Sequence, residues 1–335
     1  MRTFPVAASL LLLLMMAVPR AEAFTKGKPQ KPGTENLKPG DYIWQPDAAP
    51  TGAVDIVVSL GQQQLWVYRD GVQIGRSTIS SGRQGFETPK GVYMILEKNL
   101  THHSNKYHEA SMPNMLRLTW GGLAIHAGNT PAKPESHGCM HVPEDFAKDL
   151  YKVAEDGNSV LIVDAPPKTQ DVPGVNALFD GPDSPAPKGT PPPAPATSPG
   201  SSPAPTPAPP FVWKPEDAKT GPYLVVFSVA DKRVYVYRKA IEIGRADLGG
   251  VDGTLPKGKH VYVALDKTLP KGGHAWSALG TTEGATAPDW KRVGKRWTLP
   301  AEFRGKLREV VGPGTTVVLT DEAADNAKPD KDKED

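Results

Sequence analysis

The chain has 335 residues, a formal net charge of +2 from 39 basic and 37 acidic side chains, and one cysteine beside eight histidines. So even a balance, with no concentrated basic stripe, excludes an electrostatic nucleic-acid binder, and a lone cysteine excludes an internal disulfide. The length allows two domains, each stabilised by packing alone.

Taken in chain order, Arg2 supplies a short positive start, Val6 to Val18 is an apolar run containing "LLLLLMM", and "AEA" ends it at Ala23. The run is shorter than the roughly 20 apolar residues of a spanning helix, and small residues follow it where a signal peptidase reads. Residues 1–23 are therefore expected to be a cleaved signal peptide. No transmembrane anchor should remain after cleavage, and the mature protein should be periplasmic or secreted. Residues 24–52 form an N-terminal extension.

From residue 53 the pattern changes. "VDIVVSL" and "QQLWVYR" alternate, are rich in β-branched and aromatic residues and are separated by a Gly-containing turn, which predicts a hairpin. A second strand pair is predicted in "IGRSTIS" and "GVYMILE". "PEDFAKDLYKVA" spaces Phe146, Leu150 and Val153 helically between Pro143 and Gly157, and "SVLIVD" closes the unit as a strand. The histidines of "THHSNKYH" (His102, His103, His108) are expected in a solvated loop, and Trp120 in the core.

Residues 167–210 read as a Pro/Ala-rich linker, in which proline at this density favours extended polyproline II. Beyond it the first unit recurs. "VVSLGQQQLWVYRDGVQIGR" (57–76) matches "VFSVADKRVYVYRKAIEIGR" (226–245), and "VPEDFAKDLYKVAEDGNSVLIVDA" (142–165) matches "LPAEFRGKLREVVGPGTTVVLTDE" (299–322). The offset is 169 at Tyr68 and Tyr237 but 157 at Phe146 and Phe303, so twelve residues are missing between the matched regions of the second copy. Arg296 then stands where the first copy has Cys139. The fold class expected is mainly β with one short helix, duplicated in tandem, with a catalytic copy over 53–166 and an inactive one over 211–322. A charged tail, 323–335, follows.

The lone cysteine lies in "IHAGNTPAKPESHGCMHVP" (125–143), together with His126, His137 and His141. A thiol attacks as thiolate, and an imidazole that accepts its proton makes it a useful nucleophile. His126 ends an apolar stretch and can approach Cys139 from a neighbouring strand, so it is the base; a group near the histidine range should then appear in the pH profile. His137, two residues from Cys139, is an orienting or substrate-facing group. Gly138 lets backbone N–H groups face a developing oxyanion.

A strand-terminal His, a loop, then "SHGC" and a following Pro is similar to the signature of the L,D-transpeptidase catalytic domain, the cysteine enzymes of bacterial peptidoglycan. The likeness covers about Asp55 to Ala165 and includes "TPKG" and "MPNMLRLTWGGLAIHAG". It implies a β-sandwich of that type, a wall-associated location, Cys139 as nucleophile, His126 as proton carrier, and Ser136, His137 and Gly138 as motif residues. Where the family usually has Arg or Asn, His141 stands as a substrate-binding candidate. The implied reaction attacks the bond between the diamino acid and terminal D-Ala of a tetrapeptide stem, then passes the thioester to an amine of a second stem. Water as acceptor would make a carboxypeptidase, and a lipoprotein lysine an anchoring enzyme. The partners expected are peptidoglycan stem peptides, with a wall or protein partner for the second copy; no cofactor or metal is expected. The rival readings are a metal-binding module built on the Cys/His cluster and a non-enzymatic wall-binding protein.

Overall fold

Residues that alternate along a strand should bury one face, yet Val54–Ser59 and Leu65–Arg69 are apolar at both parities and buried throughout. The reason lies in how the chain is layered. The computed structural model describes residues 24–105, 109–167, 170–183, 210–251, 256–270, 272–282 and 284–324. The expected signal peptide, His108, most of the Pro-rich segment and the tail from 325 lie outside them.

In the first unit β1 (Lys28–Pro29), β2 (Asp41–Trp44), β3 (Val54–Ser59), β4 (Gln64–Arg69), β5 (Val72–Thr78) and β6 (Gly91–Met94) are followed by β7 (Glu97–His103), β8 (Ser111–Arg117), β9 (Ala124–Ala127) and β10 (Met140–Val142). Helix α1 (Glu144–Val153) and β11 (Ser159–Val163) complete it. One sheet runs β1-β2-β5-β4-β3-β11-β6 and a second β10-β9-β8-β7. Ile56, Val58, Leu65 and Ile74 of the first meet Leu116, Ile125, Met140 and Val142 of the second in one core, closed by Phe146 and Leu150 of α1. The hairpin β3–β4 is as predicted. The second predicted pair is not a pair: β5 adds to β4 and β2, whereas β6 pairs with β11, which lies between β3 and β6. The extension at 24–52 belongs to the same body, because β2 is hydrogen-bonded to β5.

The second unit contains β12 (Gln170–Asp171), α2 (Ala177–Asp180), β13 (Phe211–Trp213), β14 (Tyr223–Ser228), β15 (Arg233–Arg238), β16 (Ile241–Asp247), β17 (Lys259–Thr268), β18 (His274–Thr281), α3 (Trp290–Arg296), α4 (Ala301–Val310) and β19 (Thr316–Thr320). Its sheet runs β12-β18-β17-β19-β14-β15-β16-β13. The stretch β13-β16-β15-β14-β19-β17 repeats the order of β2-β5-β4-β3-β11-β6, with β19 parallel to β14 as β11 is to β3. An isolated bridge joins Ser80 to His141 in the first unit and Gly249 to Thr298 in the second. Among the described residues no strand of the second unit takes the place of β9 and β10.

The linker is shorter than residues 167–210. Val175, Leu178 and Phe179 are buried in the second core, Asn176 bonds Trp276 Nε1 at 2.9 Å, and Arg304 bonds the Phe179 carbonyl and Asp183. The apolar "VNALF" inside a Pro-rich context is what folds back. The second unit also carries α2 and α3 besides the one helix expected.

The two units meet sheet to sheet. Val57, Trp66, Tyr68, Leu161 and Val163 pack with Val226, Tyr235, Tyr237, Val261 and Val318. This second buried face explains why β3 and β4 are apolar on both sides. Between the units Thr316 Oγ1 donates to the buried Asp55 at 2.6 Å.

Candidate active site

Strand β10 runs parallel to β9, pairing Met140 with Ile125 and His141 with His126. Cys139 precedes β10 by one residue, so alternation turns its side chain to the face that carries His141 and His126. His126 is buried, and its ring lies 4.7 Å from that of His141. Its Nδ1 bonds the Ala127 carbonyl at 2.8 Å. A carbonyl only accepts, so Nδ1 carries the proton and Nε2 is left as the basic atom. Burial first, and then the neighbouring His141, push His126 down to about 3. The imidazole is therefore neutral through the physiological range, and the titration expected near the ordinary histidine value moves to acid.

Burial pushes the Cys139 thiol up, against the Ala124 N–H and the Arg117 charge, which pull it down. Its Sγ donates to the Gly122 carbonyl at 3.3 Å. Thiol and imidazole are thus both uncharged at rest.

The turn that presents the thiol is held by Ser136, whose hydroxyl accepts from Gly138 N–H at 3.1 Å and donates to the Cys139 carbonyl at 2.5 Å. Gly138 has φ +117°, a conformation side chains strain to adopt, which accounts for glycine there. With its N–H directed at Ser136, the Cys139 N–H is the oxyanion donor this turn can offer. Residues 81–88 lie along the turn: Ser136 N–H donates to Ser81 O, Arg83 N–H to Ser136 O, and Thr88 Oγ1 to Gly138 O at 2.7 Å. His137 is exposed, against Arg83 and Phe86. His141 is turned toward His126 and also lies where a Cβ on Gly128 would intrude, 2.6 Å from its Cγ.

Two expectations are corrected. Trp120 is 39% exposed, with Arg117 5.7 Å above its ring, so it borders the site instead of filling the core. His102 and His103 end β7 instead of lying in a loop, and His102 Nε2 is 3.5 Å from Arg117. Arg117, held by Glu97 at 2.8 Å, pairs with Ala124 across the sheet and so enters the site unforeseen; strand register, which spacing alone does not reveal, puts it there. Among the described residues no three His, Cys, Asp or Glu side chains group as metal ligands, and no helix is long and apolar enough to cross a membrane. A cleft of about 350 Å³ between the units, lined by Gly52, Val153, Asn158, Tyr223 and Thr315 among others, contains none of these site residues.

Residues 53–162 match the family model of the YkuD L,D-transpeptidase catalytic domain. The match covers about a third of the chain and spans both β9 and β10. Among solved structures, an L,D-transpeptidase from Mycobacterium smegmatis shares 22% identity over 33% of this chain and 58% of its own, with a TM-score of 0.31. Those from Stackebrandtia nassauensis and Mycobacterium tuberculosis share 27% and 26% over 33% of this chain, covering 56% and 57% of theirs, both with TM-scores of 0.31. The chain thus spans under two thirds of the length of these proteins. No curated protein sequence matches it. Cys139, His126 and the Ser136–Gly138 turn all fall inside the matched L,D-transpeptidase-like domain.

Proposed function

We propose that this chain is an exported L,D-transpeptidase that acts on peptidoglycan tetrapeptide stems through a Cys139 thioester. The observation that carries the reading is the neutral His126 on the strand beside Cys139, its Nδ1 tied to the Ala127 carbonyl, within a segment that matches the L,D-transpeptidase catalytic domain. Cys139 Sγ attacks the carbonyl carbon of the amide that joins the diamino acid to terminal D-Ala, as its proton passes to His126 Nε2. The C–N bond then breaks, His126 returns the proton to the departing amine, and the acyl group remains on sulfur. The amine of a second stem attacks the thioester, loses a proton to His126, and sulfur leaves and is reprotonated. Holding the imidazolium costs energy in the buried site, so it exists only while the oxyanion is present, which the Cys139 N–H helps to stabilise. Ser136 and Gly138 position the nucleophile, and His137 faces the substrate.

The second unit is a degenerate copy of the first. What supports this is the shared strand order, the twin Ser80–His141 and Gly249–Thr298 bridges, and elements that recur at the two sequence offsets. Lacking a cysteine and, among the described residues, strands in the place of β9 and β10, it forms no thioester; it buttresses the catalytic sheet and is a candidate holder of wall strands. The test is incubation of the full chain with tetrapeptide-rich peptidoglycan, with products resolved by mass. Cross-linked dimers and released D-Ala are expected, both lost in Cys139→Ala; tripeptides alone would mark a carboxypeptidase and protein conjugates an anchoring enzyme. No D-Ala release would overturn the reading.

A further inference from the structure

One guanidinium at the site has no carboxylate beside it among the described residues. Arg83 donates through Nη2 to His137 Nε2 at 2.6 Å and reaches Nδ1 through Nη1 at 3.5 Å. Its Cζ lies 4.7 Å from the centre of the Phe86 ring, and Phe86, 41% exposed, meets the His137 ring edge-on at 4.9 Å. This trio is anchored to the nucleophile's own turn, because Arg83 N–H bonds Ser136 O at 3.0 Å and Thr88 bonds the Gly138 carbonyl. Arg117, the other arginine of the site, is neutralised by Glu97 at 2.8 Å. Arg83, by contrast, makes no ion pair among the described residues.

A guanidinium has five N–H donors in one plane, and a neutral imidazole has one acceptor nitrogen, so the His137 ring takes one of them, through Nε2. Stacking on Phe86 fixes that plane, so the remaining donors are arranged before any ligand arrives. An oriented guanidinium with no carboxylate partner among the described residues, on a segment hydrogen-bonded to the turn that presents Cys139, is suited to a carboxylate, which it can grip through two parallel hydrogen bonds. The imidazole can only receive from Arg83, so it competes for the donors without cancelling the charge.

We infer that Arg83, Phe86 and His137 form a carboxylate subsite that holds the donor stem beside Cys139. The inference rests on the proposed stem-peptide activity. The carboxylate is either the terminal α-carboxylate of the departing D-Ala or the side-chain carboxylate of a diamino acid that has one; both lie within a residue of the bond attacked.

The test uses the full chain and three tetrapeptide stems: the native acid, its terminal α-carboxamide, and the stem amidated on the diamino-acid side chain. Arg83→Gln should raise KM for the native stem on the order of 10- to 100-fold, the usual range for a lost charge-assisted pair, with kcat changed far less. Arg83→Lys should recover part of the loss, because it keeps the charge and loses the fork. On the amide that removes the carboxylate in question, wild type and Arg83→Gln should converge, and which amide does so identifies the source. Equal losses on all three stems, or no loss, would overturn the subsite. Binding of the native stem to Cys139→Ala, with and without Arg83→Gln, separates the two ideas: Arg83-dependent binding without turnover by the wild type would uphold the subsite and sink the transpeptidase reading, whereas binding indifferent to Arg83 would sink the subsite.

Discussion

At the level of single residues, the proposed chemistry depends on two groups kept neutral. His126 is pushed down to about 3 and the Cys139 thiol is pushed up, so the form that the proposed mechanism starts from, thiol beside imidazole, persists across neutrality. It follows that kcat/KM should be flat from about pH 5 to 8, since this quantity reports free-enzyme groups. A limb near the ordinary histidine value would show that His126 is less buried in solution than here. Because the His141 charge is the second cause of the depression, His141→Ala should move the acid limb toward neutral pH. Cys139→Ala should abolish turnover and leave the melting temperature nearly unchanged. His126→Gln should cost roughly 10² to 10⁴ in kcat, the usual worth of a general base, and His137→Ala should instead act mainly on KM. Comparable kcat losses in the two histidine variants would remove the distinction between base and substrate contact.

At the level of elements, the turn 136–139 and the residues 81–88 along it act as one unit. Ser136→Ala deletes the acceptor of Gly138 N–H and the donor to the Cys139 carbonyl, in a buried position. A stability loss of about 1–3 kcal/mol is expected, because both partners are left unsatisfied, and kcat should fall with it. Denaturant unfolding and turnover of the same preparation test this; an unchanged kcat would mean that the turn keeps its shape without the hydroxyl. Much of this unit was legible in the sequence. "SHGC" and the strand-terminal His126 marked the candidate site, and helix α1 and the hairpin β3–β4 followed from local periodicity. What local pattern could not carry was pairing between distant segments. The insertion of β11 between β3 and β6, and the row that brings Arg117 to Ala124, depend on register across the sheets. Trp120 looked like core because large aromatics usually are, yet it flanks a site and stays exposed under Arg117. The segment around Phe179 was hidden by the prolines beyond it.

Across the whole molecule, what holds the units together is an apolar face with one buried carboxyl in it. Burial raises Asp55 from 3.8 to about 6, with the Ser159 and Thr316 hydroxyls opposing the rise. Between these values the folded chain keeps a proton that the unfolded chain has released, so stability is greatest below 3.8 and is lost as pH rises to about 6. His126 has the opposite sense, losing stability as pH falls from 6.5 toward 3, so the two are separated only by difference. Asp55→Asn should therefore exceed wild type above pH 6, by roughly 2–3 kcal/mol at most, and the difference should vanish below pH 4. A difference independent of pH would mean that Asp55 is charged at the boundary. The apolar face itself leads to a further expectation. Val57, Trp66, Tyr68 and Leu161 meet a surface made by Val226, Tyr235, Tyr237 and Val318, the residues that stand at the matching offsets in the second unit. Two like surfaces packed on each other make the face nearly self-complementary, as in an isologous dimer. A chain ended after residue 167 would leave Trp66, Tyr68, Met94 and Leu161 uncovered, a patch that monomeric proteins seldom expose. It should form homodimers through that face, and Tyr68→Asp should return it to monomer, both read by sedimentation equilibrium. A truncated protein that stays monomeric at high concentration and melts with the full chain would show that the second unit adds nothing to the first.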